Sequence, residues 1–257
     1  MGGFRVDSGL SHLASCALRS GFVVVQGFWE YHVDKTKQLF ISKTARNSKM
    51  APMLTIDQAR VELFEMLRTK SVFQGDFTLS SGVKSSYYVD CKLTTLDPKG
   101  AWLVGQVMHA LIRRQQAERS VVIRAVGGLT MGADPIALAV AMFSCWVNDS
   151  VPLQMFSVRK TPKGHGQTKL IEGNFRKGDA VVVIDDVVTR GESTIAAINA
   201  VVKEGGTVAF VAVLVDRQEG GREKIEALGY SVVSLFQRDE LLRGHGQSHQ
   251  PKNCAAV

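Results

Sequence analysis

The rhythm of apolar and polar positions changes near residue 55. Residues 1–49 show no sustained periodicity, and their one short apolar patch, 21–29, is broken by Gln26 and Gly27. From Thr55 onward, Ile56, Ala59, Leu63, Met66 and Leu67 recur at helical spacing, and Thr55 with Gln58 forms a Thr-x-x-Gln capping box, so a helix is predicted to open there. The segment FTLSSGVKSSYYVDCKL, 77–93, places aromatic-rich pieces around a Ser-Ser-Gly and predicts two short strands joined by a turn. Asp97 and Pro98 then supply an N-cap and a first-turn proline for a helix reaching about Gln115.

Farther along, near-continuous apolar runs at 121–126, 153–158, 180–185, 207–215 and 230–235 alternate with helical stretches and, once, with a polar loop. Gly205 and Gly206 close a helix that starts near Glu192, and Gly229 closes one from about Arg222. Strands of this kind, interleaved with helices, predict an α/β fold with a mostly parallel sheet covered on both faces. In such sheets ligands bind outside the carboxyl ends of the strands. The organised sequence spans 50–242. Residues 1–49 read as an unstructured extension, a transit peptide or sequence upstream of a true start at Met50 or Met53, and 243–257 as a disordered tail.

Charge narrows the class of partner. The chain has 257 residues and a net charge of +7. Residues 1–49 hold seven Lys/Arg against three Asp/Glu, and 243–257 hold two basic residues and no acid, which leaves +1 for the body. A nearly neutral body argues against a nucleic-acid partner. The longest apolar runs fall well short of the roughly 20 residues a membrane span needs. Cys16, Cys91, Cys145 and Cys254 are far apart and form no C-x-x-C pair, the usage of a reducing, cytoplasmic compartment without a disulfide framework or zinc site. Neither a Walker-type loop nor a G-x-G-x-x-G turn is present, and His245 and His249 sit in a tail better suited to disorder than to metal binding.

The chemistry concentrates in VVVIDDVVTRGEST, 181–194. A buried strand runs into Asp185 and Asp186 at the place where the crevice is expected. Neighbouring carboxylates resist joint burial unless donors or a cation meet them, so a sugar diol, with or without magnesium, is a natural partner. The following Thr189, Arg190, Gly191, Glu192, Ser193 and Thr194 lead into a helix and offer backbone donors, small hydroxyls and a macrodipole, a combination that binds phosphate. The plainer alternative is an N-cap with solvated acids. A second segment, RKTPKGHGQTKLIEG at 159–173, gathers Arg159, Lys160, Lys163, His165 and Lys169 among Pro162, Gly164 and Gly166. Taken alone it is a solvated loop; beside the sugar-phosphate grip it is a basic flap for a charged leaving group.

VVVIDDVVTRGEST resembles the phosphoribosyl pyrophosphate binding motif of type I phosphoribosyltransferases. FTLSSGVKSSYYVDCKL, VGGLTMGADPIA, the RKTPKGHG loop and VDRQEGG at 215–221 narrow the resemblance, over about 55–242, to the branch whose acceptor is orotate. It implies the type I phosphoribosyltransferase fold, a central mostly parallel sheet flanked by helices with a small N-terminal hood. It further implies transfer of the phosphoribosyl group from phosphoribosyl pyrophosphate to orotate with Mg2+, giving orotidine 5′-monophosphate and pyrophosphate. On that resemblance Asp185 and Asp186 bind the ribose hydroxyls, and Val187, Val188 and the 189–194 turn complete the sugar-phosphate site. Arg159, Lys160, Lys163 and His165 meet the pyrophosphate of the neighbouring subunit, so a homodimer is implied, with Lys163 catalytic alongside the two aspartates. Arg217 faces the orotate carboxylate, the backbone around Tyr88 and Val89, with Thr189, lies along the base, and Gly127 and Gly128 form a pyrophosphate-binding turn. The sequence departs from the common pattern at Ser80, where many relatives have lysine and where Lys84 or Lys92 is the available substitute. It departs again at Gly-Gly-Leu-Thr-Met-Gly, which lacks a Tyr-Lys pair, and at Arg190 and Glu192, which replace small residues. Two rival readings are a purine or xanthine phosphoribosyltransferase and a non-catalytic regulator that senses phosphoribosyl pyrophosphate.

Overall fold

The computed structural model describes residues 31–33, 39–41, 53–78, 84–161 and 169–243. The expectations for the rest of 1–52, for Ser80, for Lys163 and His165 and for 244–257 lie outside the described residues. Two units are distinguished, Met1–Met53 and Leu54–Val257. Of the first, the described part is an antiparallel pair, β1 (Tyr31–Val33) with β2 (Leu39–Ile41).

The second unit opens with α1 (Ile56–Lys70), and its capping box is formed in both directions: the Thr55 hydroxyl accepts from Gln58 N, and the Gln58 side chain accepts from Thr55 N. A hairpin follows, β3 (Val72–Thr78) antiparallel to β4 (Lys84–Val89), where the two short strands were expected. After α2 (Lys92–Thr95) comes α3 (Pro98–Arg119), capped by the Asp97 carboxylate and four residues longer than the sequence suggested. It ends on Ser120 in the left-handed region, φ 51°, a position that carries no glycine to mark it.

The remaining elements are β5 (Ala125–Leu129), α4 (Ala133–Trp146), β6 (Gln154–Val158), β7 (Ile171–Gly173), β8 (Ala180–Val188), α5 (Glu192–Lys203), β9 (Thr207–Asp216), α6 (Gly221–Ala227), β10 (Val232–Gln237) and α7 (Arg238–Leu242). Six of these strands form one sheet in the order β10-β9-β8-β5-β6-β7, parallel except for β7, which runs antiparallel to β6 at the edge. Alternation along β8 explains the two covered faces. Val182 and Ile184 pack with Leu103, Ile112 and Ile136 from α3 and α4, whereas Val181 and Val183 pack with Ala197, Ile198 and Val201 from α5. From β5 the chain proceeds outward to β6, and from β8 outward in the opposite direction to β9 and β10. The order therefore reverses between β5 and β8, and in sheets of this kind the ligand crevice lies at the carboxyl ends there.

Two strands are displaced from their expected places. The run at 121–126 does not begin a strand: Val121 N and Ile123 N donate to the backbone carbonyl and the side chain of Gln116, wrapping the end of α3, and β5 starts at Ala125. Gly127 and Gly128 consequently lie within β5, not in a turn after it. A Cβ on Gly127 would lie 2.1 Å from the Phe156 carbonyl oxygen, and one on Gly128 2.0 Å from that of Ile184, so close packing against neighbouring strands requires both glycines. The strand expected at 230–235 is β10, two residues later. The loop expected across 159–173 is tied at its base, because Ile171–Gly173 pairs with β6 and Arg159 N donates to Leu170 O.

Candidate active site

β8 runs through both acids to Val188, so Asp185 and Asp186 belong to its carboxyl-terminal half and point, as strand neighbours must, to different surroundings. Asp185 is 5% exposed, and its Oδ2 accepts from Ser193 Oγ at 2.7 Å and Thr194 Oγ1 at 2.6 Å. Burial pushes this carboxyl up to about 7 against the pull of those hydroxyls. Its first task is internal: it ties the end of β8 to the start of α5. Asp186 faces the crevice, half-buried, and its carboxyl is also raised by burial while the Lys92 ammonium pulls it down. Lys92 is itself held by Asp90 at 2.8 Å. Across the crevice, Gly132 stands so near that an added Cβ would lie 2.3 Å from Asp186 Oδ1. The turn carrying Gly132 is braced by Asp134, which accepts from Thr130 Oγ1 at 2.5 Å and Ser157 Oγ at 2.7 Å.

The turn after β8 has the form expected of a phosphate cradle. Gly191 takes φ 82° and precedes α5, whose first amides have no preceding turn to donate to. The side chains of Arg190 and Glu192 are exposed, so these departures do not fill the cradle. Val187 and Val188 put their side chains into the two core clusters, which leaves their backbone as the part that borders the crevice. Thr189 O accepts from Gly221 N at 3.0 Å and Val188 O from Arg217 N at 2.9 Å, which join this turn to the end of β9.

Arg217 lies at that end with its side chain 9% exposed. Its Nη2 pairs with Glu219 Oε1 at 2.8 Å and donates to Tyr87 Oη at 3.2 Å, and its guanidinium carbon lies 5.0 Å from the centre of the Tyr87 ring. Asp216 fixes the segment by accepting from Gln218 N and Arg222 Nε. Tyr88 instead joins Phe73 and Phe77 in the hairpin, with ring centres 6.4 and 5.8 Å away, and Val89 is buried. Successive strand residues face opposite ways, so the Tyr87 side chain reaches Arg217 while that of Tyr88 stays in the hairpin. Sequence reasoning missed Tyr87 and Glu219; the alternation inside Tyr-Tyr-Val was the available signal for the first. Arg159 pairs with Glu172 at 3.4 Å at the base of the basic loop, and Lys160 beside it is exposed.

A parallel sheet reversing between β5 and β8, with acids and a helix-leading turn at that point, is the architecture of a type I phosphoribosyltransferase, as the solved neighbours bear out. No protein-family model matches the chain. It is 45% identical over 186 residues to the orotate phosphoribosyltransferase of Aquifex aeolicus, an alignment covering 71% of this chain and 97% of that protein. The solved orotate phosphoribosyltransferase of Mycobacterium tuberculosis H37Rv is 40% identical with a TM-score of 0.61, covering 72% of this chain and 99% of the other. The same protein solved with 5-phospho-α-D-ribosyl 1-diphosphate gives 38%, 0.58, 71% and 98%. The chain belongs to the orotate phosphoribosyltransferase family.

Proposed function

We propose that this chain is an orotate phosphoribosyltransferase in the synthesis of uridylate. A ring nitrogen of orotate attacks the anomeric carbon of phosphoribosyl pyrophosphate, the bond to the pyrophosphate oxygen breaks, pyrophosphate leaves with the electron pair, and the proton of that nitrogen passes to the departing pyrophosphate. The observation that carries this reading is a buried arginine, Arg217, one backbone hydrogen bond away from the strand that ends in the phosphate-type turn. An arginine there suits a carboxylated base, and a purine offers it nothing equivalent.

In this reading the backbone amides of Thr189, Arg190, Gly191, Glu192, Ser193 and Thr194, with the Thr189 hydroxyl, hold the 5′-phosphate, while the hydroxyls of Ser193 and Thr194 stay on Asp185. Asp186 meets the ribose hydroxyls directly, and Asp185 acts chiefly by fixing Ser193 and Thr194. The residues fit Mg2+ as a substrate-borne ion: Asp185 and Asp186 are neighbouring carboxyl groups, the oxygen donors Mg2+ takes, and a cation would offset the burial that raises both. When bound, Mg2+ offsets charge on the departing pyrophosphate. Arg159, Lys160, Lys163 and His165 of the 159–173 loop do the same from the neighbouring subunit and exclude water.

The homodimer is supported by an apolar stripe that a lone chain leaves open. Leu138, Met142 and Trp146 recur every fourth residue on α4 at 51%, 64% and 44% exposure, and Trp146 stacks edge-on with Trp102 of α3. The proposed setting is the cytoplasm; no described helix is long and apolar enough to cross a membrane. The test follows orotate absorbance after adding phosphoribosyl pyrophosphate and Mg2+. Loss of the signal with release of pyrophosphate is expected. Persistence of the signal while phosphoribosyl pyrophosphate still binds would replace the enzyme with the sensing regulator.

A further inference from the structure

The base side of the crevice already holds a carboxylate. Glu219 reaches in from the turn after β9, its side chain 30% exposed, and grips one corner of Arg217. The Tyr87 hydroxyl donates to the same Glu219 oxygen at 2.5 Å while accepting from Arg217 Nη2 at 3.2 Å. Arg217 Nε, in contrast, is buried and has no partner among the described residues. The guanidinium is thus held through Nη2 alone, with the adjoining Nε donor unused.

A cation this deeply buried needs a counter-ion, and Glu219 supplies it. A planar carboxylate that takes Nε and Nη2 together makes the stronger forked contact. It also arrives within hydrogen-bonding distance of where Glu219 sits, and two carboxylates on one such cation repel. Glu219 is the one free to yield, being more exposed than Arg217 and carried by a turn. Arg238, whose guanidinium carbon lies 5.8 Å from the centre of the Tyr87 ring, places a second cation at the same spot.

We propose that Glu219 is an exchangeable counter-ion: it occupies Arg217 in the substrate-free protein, and the carboxylate of the acceptor base displaces it and takes over the Tyr87 hydroxyl. This rests on the reading of orotate as acceptor and deepens it. A base that lacks a carboxylate leaves the Arg217–Glu219 pair closed, so the exchange itself selects the substrate.

Glu219→Gln keeps the shape and removes the competing charge. Steady-state kinetics on the full chain are expected to show the orotate KM falling roughly tenfold or more, the size of one hydrogen bond between charged groups, with the phosphoribosyl pyrophosphate KM unchanged. The substrate-free variant melts below wild type, and orotate raises its Tm by more than it raises that of wild type. Glu219→Asp, which withdraws the carboxylate by one methylene, lowers the orotate KM by a smaller factor. An orotate KM that is unchanged or raised in both variants overturns the exchange and leaves Glu219 as a fixed positioning residue. A wild-type protein that consumes no orotate overturns the acceptor reading itself, and the two failures are told apart by that control.

Discussion

The two halves of the crevice are built in opposite ways. On the sugar side, the contacts that shape the site join residues eight and nine positions apart, Asp185 to Ser193 and Asp185 to Thr194, within a single strand-turn-helix unit. On the base side, Tyr87 meets Glu219 across 132 positions and Arg217 across 130, so the hairpin and the end of β9 create a site that neither contains. The first half is rigid because the Asp185 carboxyl and the hydroxyls of Ser193 and Thr194 satisfy one another, which leaves the backbone amides of the turn for a ligand. The second is exchangeable because one arginine donor is left over and its counter-ion stands on an exposed turn.

Breaking the base half alone is expected to give the largest effect. Arg217→Ala removes the buried cation and should weaken orotate binding on the order of a hundredfold or more, with phosphoribosyl pyrophosphate binding retained; separate titrations of the two ligands check this. Breaking the sugar half from across the crevice comes next. In Gly132→Ala the new methyl must push the Asp186 carboxylate from its place, since its Cβ would start 2.3 Å from Oδ1. Turnover is expected to drop roughly tenfold to a hundredfold, because a catalytic group displaced by an ångström loses about that much. A variant with full turnover would show that Asp186 does not need its present position.

The smallest effect is on stability and sharpens the contrast. Folded Asp185 keeps its proton up to about pH 7, whereas in the unfolded chain it loses it near 3.8. The folded state therefore holds the extra proton between these values, and stability falls as pH rises through that window. Asp185→Asn retains an oxygen for Ser193 and Thr194 but cannot ionise, so urea midpoints measured across the window should flatten. An unaltered slope would place the pH dependence elsewhere, with Asp186 the next group to test.

This contrast also decides what the sequence disclosed. The alternation of the main strands and helices, the capping box at Thr55 and the acids leading into a phosphate-type turn follow from periodicity and short-range chemistry and are legible from neighbouring residues, whereas the edge strand β7 was hidden in a segment that reads as loop. The start of β5 was not legible, because Val121 and Ile123 are apolar enough for a strand while their amides are claimed by Gln116. The end of α3 was missed because Ser120 adopts a conformation usually marked by glycine. At the site, Asp185 reads as a ligand-facing acid until its two hydroxyl partners show it turned inward. Tyr87 and Glu219 stayed hidden because their roles depend on long-range docking of the hairpin, which no local pattern records.

A crystal structure of the protein with phosphoribosyl pyrophosphate and orotate tests the central claim most directly. The account predicts the 5′-phosphate on the amides of the turn at 189–194, ribose hydroxyls on Asp186, and the orotate carboxylate forked on Arg217 with Glu219 swung away. A phosphate bound elsewhere, or an orotate carboxylate that leaves Arg217 paired to Glu219, would contradict it.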